Sequence, residues 1–152
     1  MIPWTIRLAG IFYFIALAQM IRRRPARLYW TIGCALYLAH AAAAFQYAYH
    51  WSHATAVQDT ARQTEALFGV NWGGGIWFNY AFTAIWTADA LWWLIAPKTR
   101  AARPRWLNAA VHSYLAFMFI NGAIVFPQGP ARWIAAAMAA ALVLLSVSVK
   151  SK

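Results

Sequence analysis

Acidic residues are almost absent from this chain, which has 3 Asp and Glu against 13 Lys and Arg and a net charge of +10. Charged residues of either sign make up 11% of the sequence, whereas soluble domains have about a quarter. So little polar surface cannot cover a water-soluble fold. The 63% hydrophobic content and apolar runs of about 20 residues, the length that crosses a bilayer, instead predict an all-α, polytopic membrane protein surrounded by lipid.

Cysteine is also scarce, since Cys34 is the only one and cannot form a disulfide within the chain. No Gly-rich phosphate loop, G-x-S-x-G, H-E-x-x-H or cysteine cluster is present. The basic residues lie in two short clusters between apolar runs and form no basic face, which excludes a nucleic-acid partner. The sequence therefore offers no catalytic nucleophile, and it leaves open whether the protein is an enzyme.

Five apolar stretches predict membrane spans within one integral domain, 1–152, at about 2–21, 28–50, 76–96, 105–126 and 131–149. Cytoplasmic loops are enriched in Lys and Arg. With the N-terminus outside and the C-terminus inside, ten of the 13 basic residues fall on the inner side. These are Arg22, Arg23, Arg24, Arg27, Lys98, Arg100, Arg103, Arg105, Lys150 and Lys152. We therefore expect this orientation in a bacterial-type cytoplasmic (inner) membrane.

The segment between the second and third spans is too polar to cross a membrane. Residues 52–68 carry apolar side chains roughly on one face, and Gly69 could end a helix there. This pattern predicts a short amphipathic helix on the extracytoplasmic surface. The glycine-rich residues 71–75 then turn the chain back into the membrane.

The third span carries Asp89, the only carboxylate inside a predicted span. Asp89 and His112 each lie seven residues from the inner end of their span, and Asn108 shares a helix face with His112. A buried carboxylate and imidazole at one depth suggest a proton relay or a polar anchor for a substrate. The alternatives are a structural hydrogen bond between helices, or an arginine of the inner loop that neutralises Asp89.

A second group of polar residues lies near the outer ends of the spans. Asn79, Thr83 and Trp86 share one helix face, while Asn121 and His50 lie near the outer ends of neighbouring spans. These residues predict a small pocket that opens to the outside. The alternative is ordinary hydrogen bonding between helices.

Histidines raise two cofactor hypotheses. His50 and His53, three residues apart, could share a metal ion on one helix face, although no third ligand is evident. His40 and His112 are the histidines within the predicted spans, and they could ligate a haem as a pair. The sequence itself identifies no cofactor.

The primary functional hypothesis is a ligand-binding or accessory and assembly subunit of a membrane complex. It would associate with copies of itself or with another membrane protein and take a small hydrophobic ligand. The first alternative is a proton-coupled carrier or small membrane enzyme that uses the Asp89–His112 pair. The second is a haem- or metal-bearing electron-transfer subunit.

Overall fold

The computed structural model describes residues 2–127 and 129–150, and these residues form helices joined by short connections with no strand among them. In chain order the helices are α1 Ile2–Ile21, α2 Arg27–Tyr47, α3 His53–Phe68, α4 Gly75–Ile95, α5 Pro97–Ala101, α6 Arg105–Ile120 with a π-helical continuation Asn121–Val125, and α7 Ala131–Lys150. The predicted all-helical class is confirmed.

Four of these elements are long and apolar enough to cross a membrane, which indicates a membrane location. They are α1, α2, α6 together with its π-helix, and α7. Helix α4 is not among the four, although it has 21 residues, as many as α2. Asp89, Asn79 and four tryptophans lower its mean hydropathy on a scale that counts tryptophan as slightly polar.

Helix α4 lies antiparallel to α2 along most of its length. The hydroxyl oxygens of Tyr37 and Thr83 are 3.0 Å apart, and the rings of Phe45 and Tyr80 are 6.2 Å apart. Helix α4 also packs on α3 and α6. Helix α4 is the central helix because it contacts α2, α3, α5 and α6. Its buried residues are Ile76, Phe82, Trp86, Asp89 and Ala90.

The remaining helices are arranged around this centre. Helices α1 and α2 form an antiparallel hairpin, in which Thr5 Oγ1 and His40 Nδ1 are 3.4 Å apart. Helix α7 packs on α1 and on the π-helix, and none of its described side chains is buried. We call the end of the bundle that carries α3 the α3 end, and the opposite end the α5 end.

The amphipathic helix α3 lies where the sequence predicts it. Ser52 accepts a hydrogen bond from the Thr55 N–H at 3.2 Å as the N-cap, and Gly69 ends the helix in the left-handed conformation with φ 70°. Gly73 packs so closely that a Cβ there would lie 2.6 Å from the Val57 carbonyl oxygen. The glycine-rich turn therefore holds α3 against the bundle.

The helices differ from the predicted spans and loops at three points. Helix α2 ends at Tyr47 rather than at 50, because His50 and Trp51 adopt left-handed backbone angles. The predicted inner loop contains the short helix α5. The fourth helix changes to a π-helix after Ile120, where the Phe126 N–H donates to the Asn121 carbonyl at 3.0 Å.

Candidate ligand-binding cavity and buried polar cluster

A cavity of about 730 Å³ lies at the α3 end, between α1, α4, α7 and the last turns of α6. This volume falls within the range of small-molecule sites in proteins. Most of the wall is apolar or aromatic, and it includes Phe14, Phe82, Trp86, Phe119 and Met138. The cavity is therefore suited to a hydrocarbon-rich ligand.

The π-helix forms part of the cavity wall through Gly122 and Ala123. Single-turn π-helices within α-helices occur frequently at functional sites. A Cβ on Gly122 would meet no atom within 4 Å, so the space beside it is open. The side-chain amide of Asn121, the first residue of the π-helix, donates to the Phe117 carbonyl at 2.8 Å.

Two polar side chains belong to the wall of this apolar cavity. Asn79 is exposed there. Arg7 lines the cavity near the start of α1, and its guanidinium carbon lies 5.2 Å from the centre of the Trp4 ring. A ligand that fills the cavity would therefore meet a hydrogen-bonding amide and a cation at the α3 end.

A second cation lies at the same end of the bundle. Arg132 follows the lining residue Ala131, and its buried Nε has no hydrogen-bond partner. The acids of α3 do not reach these arginines, since Asp59 pairs with Arg62 at 3.1 Å and Glu65 accepts from Asn71 at 2.7 Å. The cavity rim thus carries a local excess of positive charge.

The residues of the predicted outer pocket are only partly brought together. Asn79 and Trp86 line the cavity, and Thr83 binds the hydroxyl of Tyr37, another lining residue. Asn121 directly precedes the lining residue Gly122.

The fifth residue, His50, is exposed on the turn after α2 and is not part of the lining. Sequence reasoning missed the contributions of α1 and α7, including Arg7. One feature of the sequence could have pointed to this contribution, namely that Arg7 is a lone arginine inside an apolar span.

The α5 end holds a buried ion cluster centred on Asp89, whose exposed fraction is 4%. Arg100 donates to both carboxylate oxygens, from Nε to Oδ1 at 3.1 Å and from Nη2 to Oδ2 at 2.7 Å. Arg103 Nη1 also donates to Oδ1. Arg100 in addition lies over the Trp93 ring, 3.7 Å from its centre.

Arg103 connects this carboxylate to the other two residues of the predicted polar group. It donates to Asn108 Oδ1 from Nε at 3.1 Å and from Nη2 at 2.6 Å, and Nη2 lies 3.4 Å from His112 Nε2. Asp89, Asn108 and His112 therefore meet through an arginine, which is the alternative that the sequence left open. A carboxylate held by two guanidinium groups is suited to clamp α4, α5 and α6 together.

The histidines of the two cofactor hypotheses have protein neighbours. His53 Nδ1 is 2.8 Å from the Tyr80 hydroxyl, and His40 Nδ1 is 3.4 Å from Thr5 Oγ1. Within residues 2–127 and 129–150, no group of three or more His, Cys, Asp or Glu residues is placed to hold a metal ion. The metal and haem hypotheses stay predictions.

No protein-family model, curated protein or solved structure matches this chain. Its function must therefore be inferred from the cavity and the polar cluster themselves.

Proposed function

We propose that this protein spans a bacterial-type cytoplasmic membrane five times, with the N-terminus outside, and binds a membrane amphiphile with an anionic headgroup in its cavity. The α3 end is extracytoplasmic in this topology. The single observation that carries the proposal is the composition of the cavity wall, which is apolar at depth and has Asn79 and Arg7 near the α3 end.

The position of α4 supports a fifth span. It is as long as α2 and lies antiparallel to it. Contacts between the two helices extend from the ring pair of Phe45 and Tyr80 to the side-chain pair of Cys34 and Thr87. A helix that packs along α2 in this way would cross the same thickness of the bilayer as α2. With α4 spanning, the basic residues around α5 join those between α1 and α2 on the inner side, in agreement with the positive-inside rule.

The distribution of charge supports an amphiphile over a purely apolar ligand. Arg7 and Arg132 lie within the first two turns of α1 and α7, at the helix ends that face the extracytoplasmic headgroups in the proposed topology. Each basic residue near an anionic lipid surface contributes about 1 kcal/mol. Asn79 can donate to a headgroup or ester oxygen. The deeper wall, with Phe14, Trp86 and Met138, would hold the hydrocarbon chain.

Native mass spectrometry of the full chain, extracted gently from its membrane, tests this function. We expect the 17.1 kDa chain to carry a bound lipid that survives mild activation. Gly122→Leu places a side chain in the open space of the cavity, so it should remove the bound lipid. Ala141→Leu places the same leucine side chain at an exposed position of α7 outside the cavity, so it should retain the lipid. Equal lipid occupancy in both variants would contradict the proposal.

A second candidate function is that of an assembly subunit. The described side chains of α7 are all at least partly exposed, and the helix contains small residues at 135–137 and 139–141, which permit close helix approach in membranes. Native masses at multiples of the chain, or with a heavier protein attached, would support this role. A carrier or acid–base enzyme is less well supported, because Asp89 is engaged by two arginines.

A further inference from the structure

A second cleft lies at the α5 end of the bundle, where the chain turns from α1 into α2. Its volume is about 440 Å³, which is within the range of ligand sites in proteins. The cleft is open to the surroundings and is lined by Gln19, Arg24, Pro25, Arg27, Leu28 and Tyr29. Its wall therefore combines two cations with two neutral polar side chains, and none of the lining residues is acidic.

The two arginines of this cleft differ from the arginines that hold Asp89. Arg100 and Arg103 are both paired with that carboxylate. Arg24 and Arg27 are exposed, and neither forms an ion pair with another residue in the described part of the chain. The other two acidic residues lie on α3, at the opposite end of the bundle. The guanidinium groups of the cleft are therefore free to bind an anion.

The turn that carries Arg24 has a well-defined backbone. The Arg24 N–H donates to the Gln19 carbonyl at 2.8 Å, and the Arg23 N–H donates to the Met20 carbonyl at 3.0 Å. These two hydrogen bonds form a Schellman motif at the end of α1. Arg23 has the left-handed φ of 55° that this motif requires. This side of the cleft is therefore already formed without a ligand.

The other side of the cleft is the first turn of α2. Arg27, Leu28 and Tyr29 are the first three residues of this helix and all belong to the lining. Their N–H groups have no acceptor within the helix, and the N-cap residue, Ala26, provides no side-chain cap. These donors add to the charge of the two guanidinium groups. The oxygens of a phosphate group accept hydrogen bonds from both kinds of donor.

We propose that this cleft binds the phosphate group of a phosphate ester through Arg24, Arg27 and the first turn of α2. In the proposed topology the cleft faces the cytoplasmic headgroup region, where basic pockets between membrane helices bind lipid headgroups. A phospholipid headgroup is therefore the expected source of the phosphate, and a soluble phosphate ester is the other source. The site lies at the opposite end of the bundle from the amphiphile cavity and does not depend on it. Because the cleft is open, its ligand should leave during gentle extraction.

Thermal unfolding of the purified full chain tests this site, in a Gly122→Leu background that fills the amphiphile cavity. The probes are phosphatidylglycerol in detergent micelles and inorganic phosphate, which replaces chloride at constant ionic strength. A ligand that binds only the folded state raises the Tm with its concentration, and this dependence gives an apparent dissociation constant. Arg24→Gln and Arg27→Gln should each raise this constant about tenfold, because each removes a charged donor.

Arg22→Gln is the matched control, because it removes an exposed arginine of the same turn that does not line the cleft. It should leave the constant nearly unchanged. Tighter binding of phosphatidylglycerol than of inorganic phosphate would support the site and identify a phospholipid as its ligand. Binding of inorganic phosphate alone would support the site and identify a soluble ester.

Two results would overturn the proposal. The first is a Tm that neither probe raises. The second is an equal loss of affinity in Arg22→Gln, Arg24→Gln and Arg27→Gln, which would show that the charge of the whole turn attracts the anion and that the cleft does not bind it.

Discussion

At the α5 end of the bundle, Arg100 and Arg103 fold inward onto Asp89. At the α3 end, Arg7 and Arg132 lie near tryptophan rings, with no carboxylate partner in the described part of the chain. The α5 end is closed by ion pairs. The α3 end contains the π-helix, the cavity and Gly122, which has open space beside it. The same residue type therefore clamps helices where a carboxylate is buried beside it, and remains available to a ligand where none is.

The largest expected effect comes from removing the charge at the closed end. Asp89→Asn leaves Arg100 and Arg103 buried without their counter-ion, and breaking a buried pair in this way costs roughly 3–5 kcal/mol. The control is Glu65→Gln, at an exposed carboxylate of α3 that accepts a hydrogen bond from Asn71, and it should cost at most about 0.5 kcal/mol. Thermal unfolding of both variants measures the contrast, and equal losses would show that the cluster is not a clamp.

A smaller effect is expected at the connection of α3 to the bundle. Gly73→Ala places a Cβ 2.6 Å from the Val57 carbonyl oxygen, and such overpacking costs roughly 1–3 kcal/mol. Hydrogen exchange should accelerate in α3 while α2 and α4 remain protected. Gly122→Ala, where the added Cβ meets no neighbour, should leave α3 unchanged. Unchanged exchange in Gly73→Ala would mean that the close approach does not hold α3.

The smallest effect concerns the cations of the open end. Arg7→Gln and Arg132→Gln should each weaken binding of an acidic phospholipid about fivefold, since each charge contributes about 1 kcal/mol. Arg62→Gln, on the exposed face of α3 and paired with Asp59, serves as the matched charge control and should change affinity little. Titration of delipidated protein with acidic and zwitterionic lipids checks this. If all three variants behave alike, net charge and not the cavity rim governs lipid binding.

Elements set by local sequence were predictable. Ser52 and Gly69 mark the two ends of α3 through hydrogen bonds and backbone angles that neighbouring residues determine. The all-helical class followed from apolar runs whose length matches a bilayer. The depth match of Asp89 and His112 also located a real polar cluster, although Arg103 joins the two residues.

Features that depend on packing between distant helices were not predictable. The cavity requires α7 to lie against α1 and the π-helix, and no local pattern specifies which apolar helices become neighbours. Arg100 reaches Asp89 because it lies on the short helix α5, which begins at Pro97 directly after α4. Proline at the first turn of a helix is a recognisable signal, and it could have revealed α5.

Photo-crosslinking with an acidic phospholipid that carries a diazirine in its acyl chain tests the ligand cavity most directly. The proposed function predicts that crosslinks in membranes concentrate on the cavity wall, at Phe14, Met118, Ala123 and Met138. They should disappear from these residues in Gly122→Leu. Crosslinks spread evenly over the lipid-facing side chains of α7, such as Leu144 and Val147, with no change in Gly122→Leu, would contradict a ligand-binding role.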